Sequence, residues 1–247
     1  YEVIIIDDLS NTSLNVLSNV CKITNSSLNF VELDLKNSVK TKEFISNNND
    51  IDGVIHFAAS KAVGESVEDP LKYYNNNLSS MINLLKELIK LNRQINFIFS
   101  SSATVYGKPI NLPITEFEPI KKAESPYGNT KQIGEEIIRD LVISNSNFKA
   151  ISLRYFNPIG AHSSSLIGEL PIGVPQNLVP YITQTAIGIR KELTVFGNNY
   201  STNDGSCIRD YIHVVDLAKA HTKSLYKLLN VNEENYYDTF NIGTGKG

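Results

Sequence analysis

The chain has 247 residues, which is enough for one large domain or two small domains with a sizeable buried core. It is 41% hydrophobic and 20% charged, and its formal net charge of −3 gives no electrostatic footprint for nucleic acid or for a membrane surface. No apolar run approaches the roughly 20 residues that span a bilayer, and we expect no signal peptide. The two cysteines, Cys21 and Cys207, have neither metal-ligand spacing nor the number that a disulfide framework needs, so we expect a cytoplasmic protein without a metal site.

Five apolar runs predict β-strands. They are rich in β-branched and aromatic residues and do not alternate strictly with polar ones, which is typical of parallel strands buried on both faces. In chain order the runs cover residues 1–7, 30–34, 51–57, 95–99 and 150–156, of which 30–34 is the shortest.

Helical periodicity separates these strands. Asp69 and Pro70 form an N-cap followed by a proline at the first helical position, and apolar residues then recur at three- and four-residue spacing over 71–91. The same pattern returns over 128–144. Alternating strands and helices predict an α/β fold with a doubly wound parallel sheet. From about Gly160 the periodicity weakens, which predicts a smaller, irregular region that covers a substrate.

Polar side chains follow four of the predicted strands. In a doubly wound sheet, ligands bind in the crevice beyond the carboxyl ends of the strands. The segments in question are 7–8, 57–61, 100–102 and 155–157. We therefore expect them to line one ligand site.

Tyr127 and Lys131 lie four residues apart at a predicted helix start, so their side chains share one helical face. A lysine ammonium near a phenol favours the phenolate, and we expect it to lower the pKa of Tyr127 enough for a base that works near neutral pH. Such a pair alone also fits two ordinary surface residues. The hydroxyl-rich turn at 100–102, directly after a strand, favours the catalytic interpretation.

Four segments, 56–66, 99–107, 153–162 and 208–214, resemble the extended short-chain dehydrogenase/reductase family and, within it, the UDP-glucose (UDP-galactose) 4-epimerases. The resemblance implies a Rossmann-type sheet and reversible epimerisation at C4 of a UDP-hexose, with a part in galactose metabolism. It also implies tightly bound NAD and a transient 4-keto intermediate. By the same resemblance, UDP-glucose and UDP-galactose are the substrates and a homodimer forms through helices 71–91 and 128–144.

The sequence departs from this family pattern at both ends. The glycine turn that holds the dinucleotide pyrophosphate is missing from the start, and the glycines of 243–247 follow the wrong elements to replace it. We expect an internal fragment that lacks about one βα unit in front and several elements behind, and that binds NAD poorly. Residues 1–157 are then an incomplete NAD-binding Rossmann domain, and 158–247 are mostly a substrate-binding region with some return to the Rossmann core. Ala59 stands where a glycine is usual, and Asp8 where an asparagine is common.

An acidic residue at the end of the second strand of a Rossmann unit accepts hydrogen bonds from the adenosine ribose, so Asp7 favours NAD over NADP. The resemblance implies the remaining roles. The catalytic residues are Ser102, Tyr127 and Lys131. The cofactor-binding residues are Asp7, Asp8, Asn11, Asp34, Leu35, Phe57, Ala58, Ala59, Lys61, Asn76, Ser100, Tyr127, Lys131 and Tyr155. The substrate-binding residues are Lys61, Ser102, Tyr127, Phe156, Asn157, Asn177, Leu178, Thr194, Phe196 and Arg209.

Several alternatives stay open on the sequence alone. Nucleotide-sugar dehydratases carry an Asp-Glu pair after the serine or threonine, whereas Ser102 is followed by Ala103 and Thr104, which disfavours water elimination. A nucleotide-sugar decarboxylase is harder to exclude, although segment 61–66 favours the epimerases. An inactive NAD-binding fragment is a further alternative. Whether N-acetylated UDP-sugars are accepted is open.

Overall fold

The computed structural model describes residues 1–247, which divide into two compact units. The first unit contains Tyr1–Asp8, Asn29–Tyr155 and Leu217–Ile242. The second unit contains Leu9–Leu28, Phe156–Asp216 and Gly243–Gly247. No helix is both long enough and apolar enough to cross a membrane.

The strands of the first unit are all paired in parallel. Strands β1 (Ile4–Asp7) and β2 (Asn29–Glu32) form one pair. A four-stranded sheet has the order β3-β4-β5-β8, in which β3 is Gly53–His56, β4 is Ile95–Ser100, β5 is Phe148–Tyr155 and β8 is Tyr237–Ile242. Parallel strands with helices between them confirm the predicted α/β fold class.

Eight α-helices accompany the strands. They are α1 (Asn15–Thr24), α2 (Ser38–Asn47), α3 (Val63–Glu68), α4 (Pro70–Tyr74), α5 (Ser80–Lys90), α6 (Pro126–Ser144), α7 (Leu178–Ala186) and α8 (Val214–Asn230). The predicted helix 71–91 is found as α4 and α5 joined by a π-helical turn, Asn75–Ser79. Its predicted N-cap is present, since the Asp69 side chain accepts a hydrogen bond from the Lys72 amide at 3.1 Å.

The core lies on both faces of the four-stranded sheet. Strand β4 is buried along its whole length, and its side chains alternate between the faces. On one face Phe97 and Phe99 pack with Leu85 of α5 and Ile138 of α6. On the other face Ile98 packs in a cluster with residues of β5 and α8. Burial on both faces explains why the strand reads as a continuous apolar run.

The second unit has little regular structure. Strands β6 (Asn157–Ile159) and β7 (Tyr211–His213) form a short parallel pair, and helices α1 and α7 also belong to this unit. Helices α1, α2 and α3 were not predicted. Within 158–247, β8 and most of α8 belong to the first unit.

Candidate active site

Helix α6 begins at the predicted catalytic pair. The Ser125 hydroxyl caps the helix by accepting a hydrogen bond from the Gly128 amide at 3.1 Å, and Pro126 occupies the first helical position. Tyr127 and Lys131 therefore lie one turn apart on the side of α6 that faces the sheet, and both are buried. Gly134 permits this close approach, because a Cβ atom there would lie 2.7 Å from the Phe99 ring on β4.

The end of β4 brings the serines to this helix. Ser102 starts a 3-10 turn, Ala103–Tyr106, by accepting a hydrogen bond from the Thr104 amide at 3.2 Å. Its side chain also acts on Tyr127, whose pKa it lowers. The Lys131 ammonium lies 5.8 Å from the centroid of the Tyr127 ring. The structure thus brings together the three residues predicted to be catalytic.

The protonation of this group differs from the expectation. Burial raises the pKa of Tyr127 above its ordinary value, the neighbouring Tyr155 adds to the rise, and the hydrogen bond with Ser102 opposes it. The prediction that Lys131 lowers this pKa is wrong for this structure, because the rise caused by burial prevails. The Lys131 ammonium donates to the Ser100 carbonyl at 2.7 Å. Burial lowers the pKa of Lys131 itself to about 8.

Ser100, at the end of β4, contacts the end of β5 and His221 of α8, and His221 in turn contacts the residue that follows β3. The Ser100 hydroxyl donates to the Tyr155 hydroxyl at 3.3 Å and lies 3.3 Å from Nε2 of His221. The exposed Phe57 ring, which follows β3, lies 4.5 Å from the His221 ring. His221 was not among the predicted site residues. Its spacing from Leu217 on α8, one helical turn, was the available signal that it faces inward.

The π-helical turn holds the segment after β3. The Asn77 amide group donates to the Ser60 carbonyl and to the Thr130 hydroxyl, both at 3.0 Å, and its oxygen accepts from the Ser60 amide at 2.7 Å. The neighbouring Asn76, predicted to bind the cofactor, donates to the Ser60 hydroxyl at 3.0 Å. Such π-turns are frequent at functional sites. Asn77 was missed because one asparagine in a run of three carries no distinguishing signal.

The remaining predicted cofactor residues of the first unit follow the ends of β1, β2 and β3. Asp34 and Asn76 are joined through Lys36, whose ammonium lies 3.5 Å from the Asp34 carboxylate and donates to the Asn76 side chain at 2.9 Å. Asp7 and Asp8 end the β1 segment. Leu35 is buried after β2, and Ala58, Ala59 and Lys61 follow β3.

Most predicted substrate residues belong to the second unit. Asn157 donates to the Asp210 carbonyl at 2.9 Å, and the exposed Arg209 donates to its neighbour's carbonyl at 2.8 Å. Asn177 donates to the Glu169 carboxylate at 2.5 Å. Leu178, Thr194 and Phe196 are exposed, and Phe156 is half-buried. Asn11, predicted to bind the cofactor, also lies in this unit and is exposed.

The glycine-rich segment 243–247 binds an internal carboxylate. The amides of Thr244 and Gly245 donate to Asp210 at 2.8–3.0 Å, and the Thr244 hydroxyl adds a bond of 2.7 Å. These hydrogen bonds lower the pKa of Asp210 below its usual range. The amides that could have served an external phosphate are thus engaged within the chain.

The donors and acceptors of the first unit suit a nicotinamide dinucleotide. A carboxylate at the end of β1, Asp7, is the acceptor that ribose hydroxyls require. The Lys131 ammonium has three donors and donates to the Ser100 carbonyl, which leaves donors for a ribose. No group of three or more His, Cys, Asp or Glu side chains is arranged to hold a metal ion.

Comparison with known proteins places this site in a family. The family model described as "NAD dependent epimerase/dehydratase family" matches residues 1–243. The chain belongs to this family. Membership confirms the predicted resemblance and the NAD cofactor.

Curated relatives within this epimerase/dehydratase family carry a more specific name. A UDP-glucose 4-epimerase of Bacillus subtilis is 49% identical over the whole chain, which corresponds to 71% of the relative's length. A UDP-glucose 4-epimerase of Drosophila melanogaster is 46% identical, and the match again covers the whole of this chain and 71% of the relative's length. The crystal structure of a UDP-glucose 4-epimerase from Bifidobacterium longum with NAD+ and UDP superposes with a TM-score of 0.94. The two sequences are 45% identical, and the match covers the whole of this chain and 72% of the crystallised chain.

Proposed function

We propose that the protein catalyses the reversible epimerisation of a UDP-hexose at C4 and interconverts UDP-glucose and UDP-galactose through a transient 4-keto sugar. The observation that carries the proposal is the buried group of Ser102, Tyr127 and Lys131 in a member of the NAD-dependent epimerase/dehydratase family. The names of the relatives support the substrate.

Tyr127 is the proton acceptor and donor in this proposal. As the phenolate, which the Lys131 ammonium favours, it takes the proton of the sugar 4-hydroxyl when hydride leaves C4, and as the phenol it returns that proton when hydride comes back to the opposite face. Ser102 opposes the effect of burial on the pKa of Tyr127 and donates a hydrogen bond to the 4-oxygen as charge develops there. Lys131 places a positive charge beside the phenol and offers its remaining donors to the cofactor ribose.

Bound NAD supplies the hydride acceptor and donor for C4. The residues that would hold it include Asp7 and Asp8 at the end of β1, with Asp34 and Leu35 after β2. The other residues proposed to bind the cofactor are Phe57, Ala58, Ala59, Lys61, Asn76, Ser100, Tyr155 and Asn11. A carboxylate at Asp7 repels a 2′-phosphate, which favours NAD over NADP.

The sugar must turn over between the two hydride transfers, so the uridine diphosphate needs an anchor. Arg209 is the proposed diphosphate cation, because a guanidinium forms charge-assisted hydrogen bonds with phosphate oxygens. Asn157, Asn177 and Phe196 are proposed to hold the nucleotide, together with Phe156, Leu178 and Thr194. Lys61 is proposed to contact both ligands.

Epimerisation fits the site better than water elimination. The positions after Ser102 are Ala103 and Thr104, and neither supplies the carboxyl acid or base that dehydration needs. The Thr104 hydroxyl is buried and has no hydrogen-bond partner.

We also propose a cytoplasmic homodimer that pairs helices 71–91 and 128–144. The exposed faces of α5 and α6 form a groove of about 430 Å³. Its apolar lining consists of Ile82, Leu85 and Ile89 from α5 and Ile137 and Leu141 from α6. A second copy of these helices would remove that lining from water.

Turnover tests the catalytic assignment. The natural protein that contains residues 1–247 is incubated with NAD and UDP-galactose, and the sugar nucleotides are separated by anion-exchange chromatography. We expect UDP-glucose to form, and Tyr127→Phe to slow its formation by about 10²–10⁴-fold. Tyr226→Phe, which changes a tyrosine that is 63% exposed on α8, is the matched control. Equal rates for the wild type and Tyr127→Phe would contradict the proposal.

A further inference from the structure

A buried ion pair lies beside the proposed catalytic group and has no part in the chemistry described so far. The Glu135 side chain on α6 and the Arg154 side chain on β5 are each at most 4% exposed. Arg154 donates from Nε to Oε1 at 2.9 Å and from Nη2 to Oε2 at 2.6 Å. A paired fork of this kind fixes both the position and the orientation of the carboxylate.

Glu135 has a third partner in the serine turn. The Ser101 hydroxyl donates to Oε1 at 2.5 Å. Ser101 lies between Ser100, whose carbonyl accepts from Lys131, and Ser102, whose side chain lowers the pKa of Tyr127. Each of three consecutive serines therefore acts on a different side chain of α6.

The three side chains of α6 form a regular series. Tyr127, Lys131 and Glu135 are spaced by four residues, so they lie one above the other on one face of the helix. The first two are the proposed base and its ammonium neighbour. The third carries the carboxylate that Arg154 and Ser101 bind.

The far side of the ion pair is also anchored. Arg154 donates from Nη1 to the Tyr106 hydroxyl at 2.9 Å, and Tyr106 donates to the Asn241 side chain at 2.6 Å. Tyr106 ends the 3-10 turn that Ser102 begins. The network thus holds both ends of the short segment that carries Ser102, and it fastens that segment to β5 and β8.

We propose that Glu135 is a positioning residue for the Ser102, Tyr127 and Lys131 group: it ties the serine turn to α6 and supplies the buried negative charge that keeps Lys131 in its ammonium form. The proposal rests on the proposed function for its catalytic meaning, while its electrostatic part concerns only residues of this chain.

The charged and titratable neighbours of Lys131 support this role. Glu135 raises the pKa of Lys131 against the larger effect of burial. From β3, His56 faces Lys131, and burial keeps the pKa of His56 down at about 3, so His56 is neutral at pH 7. Tyr127, from the same helix, has a raised pKa and is also neutral. Glu135 is therefore the counter-charge for Lys131.

The test measures the titration of Lys131 directly, by the ¹⁵N resonance of its Nζ atom, assigned with a Lys131→Met variant. Glu135→Gln removes the charge and keeps an oxygen that Ser101 can reach. This variant also leaves Arg154 buried without a counter-ion, so the melting temperature of the protein should fall. The double variant Glu135→Gln with Arg154→Met removes both charges and should recover the melting temperature. Glu136→Gln, an exposed position on the same helix, is the matched control.

We expect the Lys131 titration to move down by about one to two pH units in Glu135→Gln, as Coulomb's law gives for charges at i,i+4 spacing. The shift should be smaller in the double variant, which also removes the opposing charge of Arg154. The alkaline limb of the rate profile should move with the titration, and Glu136→Gln should move neither. A Glu135→Gln protein with a lowered melting temperature and an unchanged Lys131 titration would show a merely structural role and overturn the proposal.

Failure of the proposed function would look different. A protein that does not epimerise UDP-galactose but shows the shifted Lys131 titration would retain the electrostatic coupling and lose only its catalytic meaning. Ser101→Ala tests the tie to the serine turn, because it removes one hydroxyl and no charge. We expect it to lower kcat with little change in KM and no shift of the Lys131 titration, and an unchanged kcat would contradict that tie.

Discussion

The replacement Lys131→Met should make the protein more stable while removing most of its activity. Burial lowers the pKa of Lys131 from 10.5 to about 8. One pKa unit corresponds to about 1.4 kcal/mol, so holding the charged form in the folded state costs about 3 kcal/mol at pH 7. Methionine fills similar space without a charge, but it leaves the Ser100 carbonyl without its donor, a loss of about 1–3 kcal/mol. We expect a net gain of about 1 kcal/mol at pH 7.

The pH dependence of this gain has a definite sign. Between pH 8 and pH 10.5 the unfolded chain holds a proton on Lys131 that the folded chain has lost. The wild type therefore becomes more stable as the pH rises through this window, and the destabilising effect of Lys131 is complete below it. The advantage of Lys131→Met should be largest below pH 8 and turn into a deficit of about 1–3 kcal/mol towards pH 10.5, because the neutral amine costs no charge burial and still donates to the Ser100 carbonyl.

Urea denaturation of both proteins at pH 7, 8, 9 and 10 measures the difference. Lys149→Met is the matched control, because Lys149 is also buried and also donates to a backbone carbonyl, that of Val231, at 2.6 Å. It should leave the rate of epimerisation near the wild-type value. A Lys131→Met protein that is less stable than the wild type at pH 7, or a difference that does not change with pH, would refute this reasoning.

Three further predictions follow from other parts of the structure. His56 is stacked on Phe97 and Phe99, and burial and Lys131 lower its pKa from 6.5 to about 3. The contribution of neutral His56 to the free energy of unfolding is therefore complete above pH 6.5 and falls by about 1.4 kcal/mol per pH unit towards pH 3. Between pH 4 and 6 the free energy of unfolding of His56→Phe should depend less steeply on pH than that of the wild type, and parallel curves would argue against the lowered pKa. Asp210→Asn removes one acceptor of the Thr244 and Gly245 amides, so their hydrogen exchange should be about tenfold faster, and protection equal to the wild type would count against this anchor. The double variant Ile137→Glu with Leu141→Glu should be a monomer when measured by sedimentation, whereas Ile143→Glu, outside the groove, should remain a dimer. A monomeric wild type would refute the proposed dimer.

Much of the fold could be predicted because its signals are local. The apolar run at 95–99 is buried on both faces as β4, and the Asp69-Pro70 signature gives the helix start that the structure contains. Element boundaries shifted by a few residues; β5, for example, begins at Phe148 because Asn145 turns the chain there through a backbone bond of 3.0 Å. The π-turn at Asn75–Ser79 was not predictable, since the apolar spacing continues through it.

The members of the catalytic group could be predicted from their spacing in the sequence, whereas the pKa values of Tyr127 and Lys131 could not. Sequence spacing places Lys131 beside Tyr127 but does not show that the ammonium donates to the Ser100 carbonyl. Nor does it show how strongly burial opposes the phenolate. The Glu135 and Arg154 pair was missed for a related reason, because the two residues lie on different elements and meet only in the folded chain. Spacing finds groups that share one helix face, and tertiary packing sets their charges.

The central claim is reversible oxidation at C4, and an isotope test addresses it most directly. UDP-galactose carrying deuterium at C4 is supplied to the natural protein with unlabelled NAD, and the UDP-glucose formed is examined by mass spectrometry and NMR. The account predicts that the deuterium remains at C4 of the product, because the same hydride leaves and returns. Product whose C4 deuterium has been lost to solvent, or a product that has lost water or carbon dioxide, would contradict it.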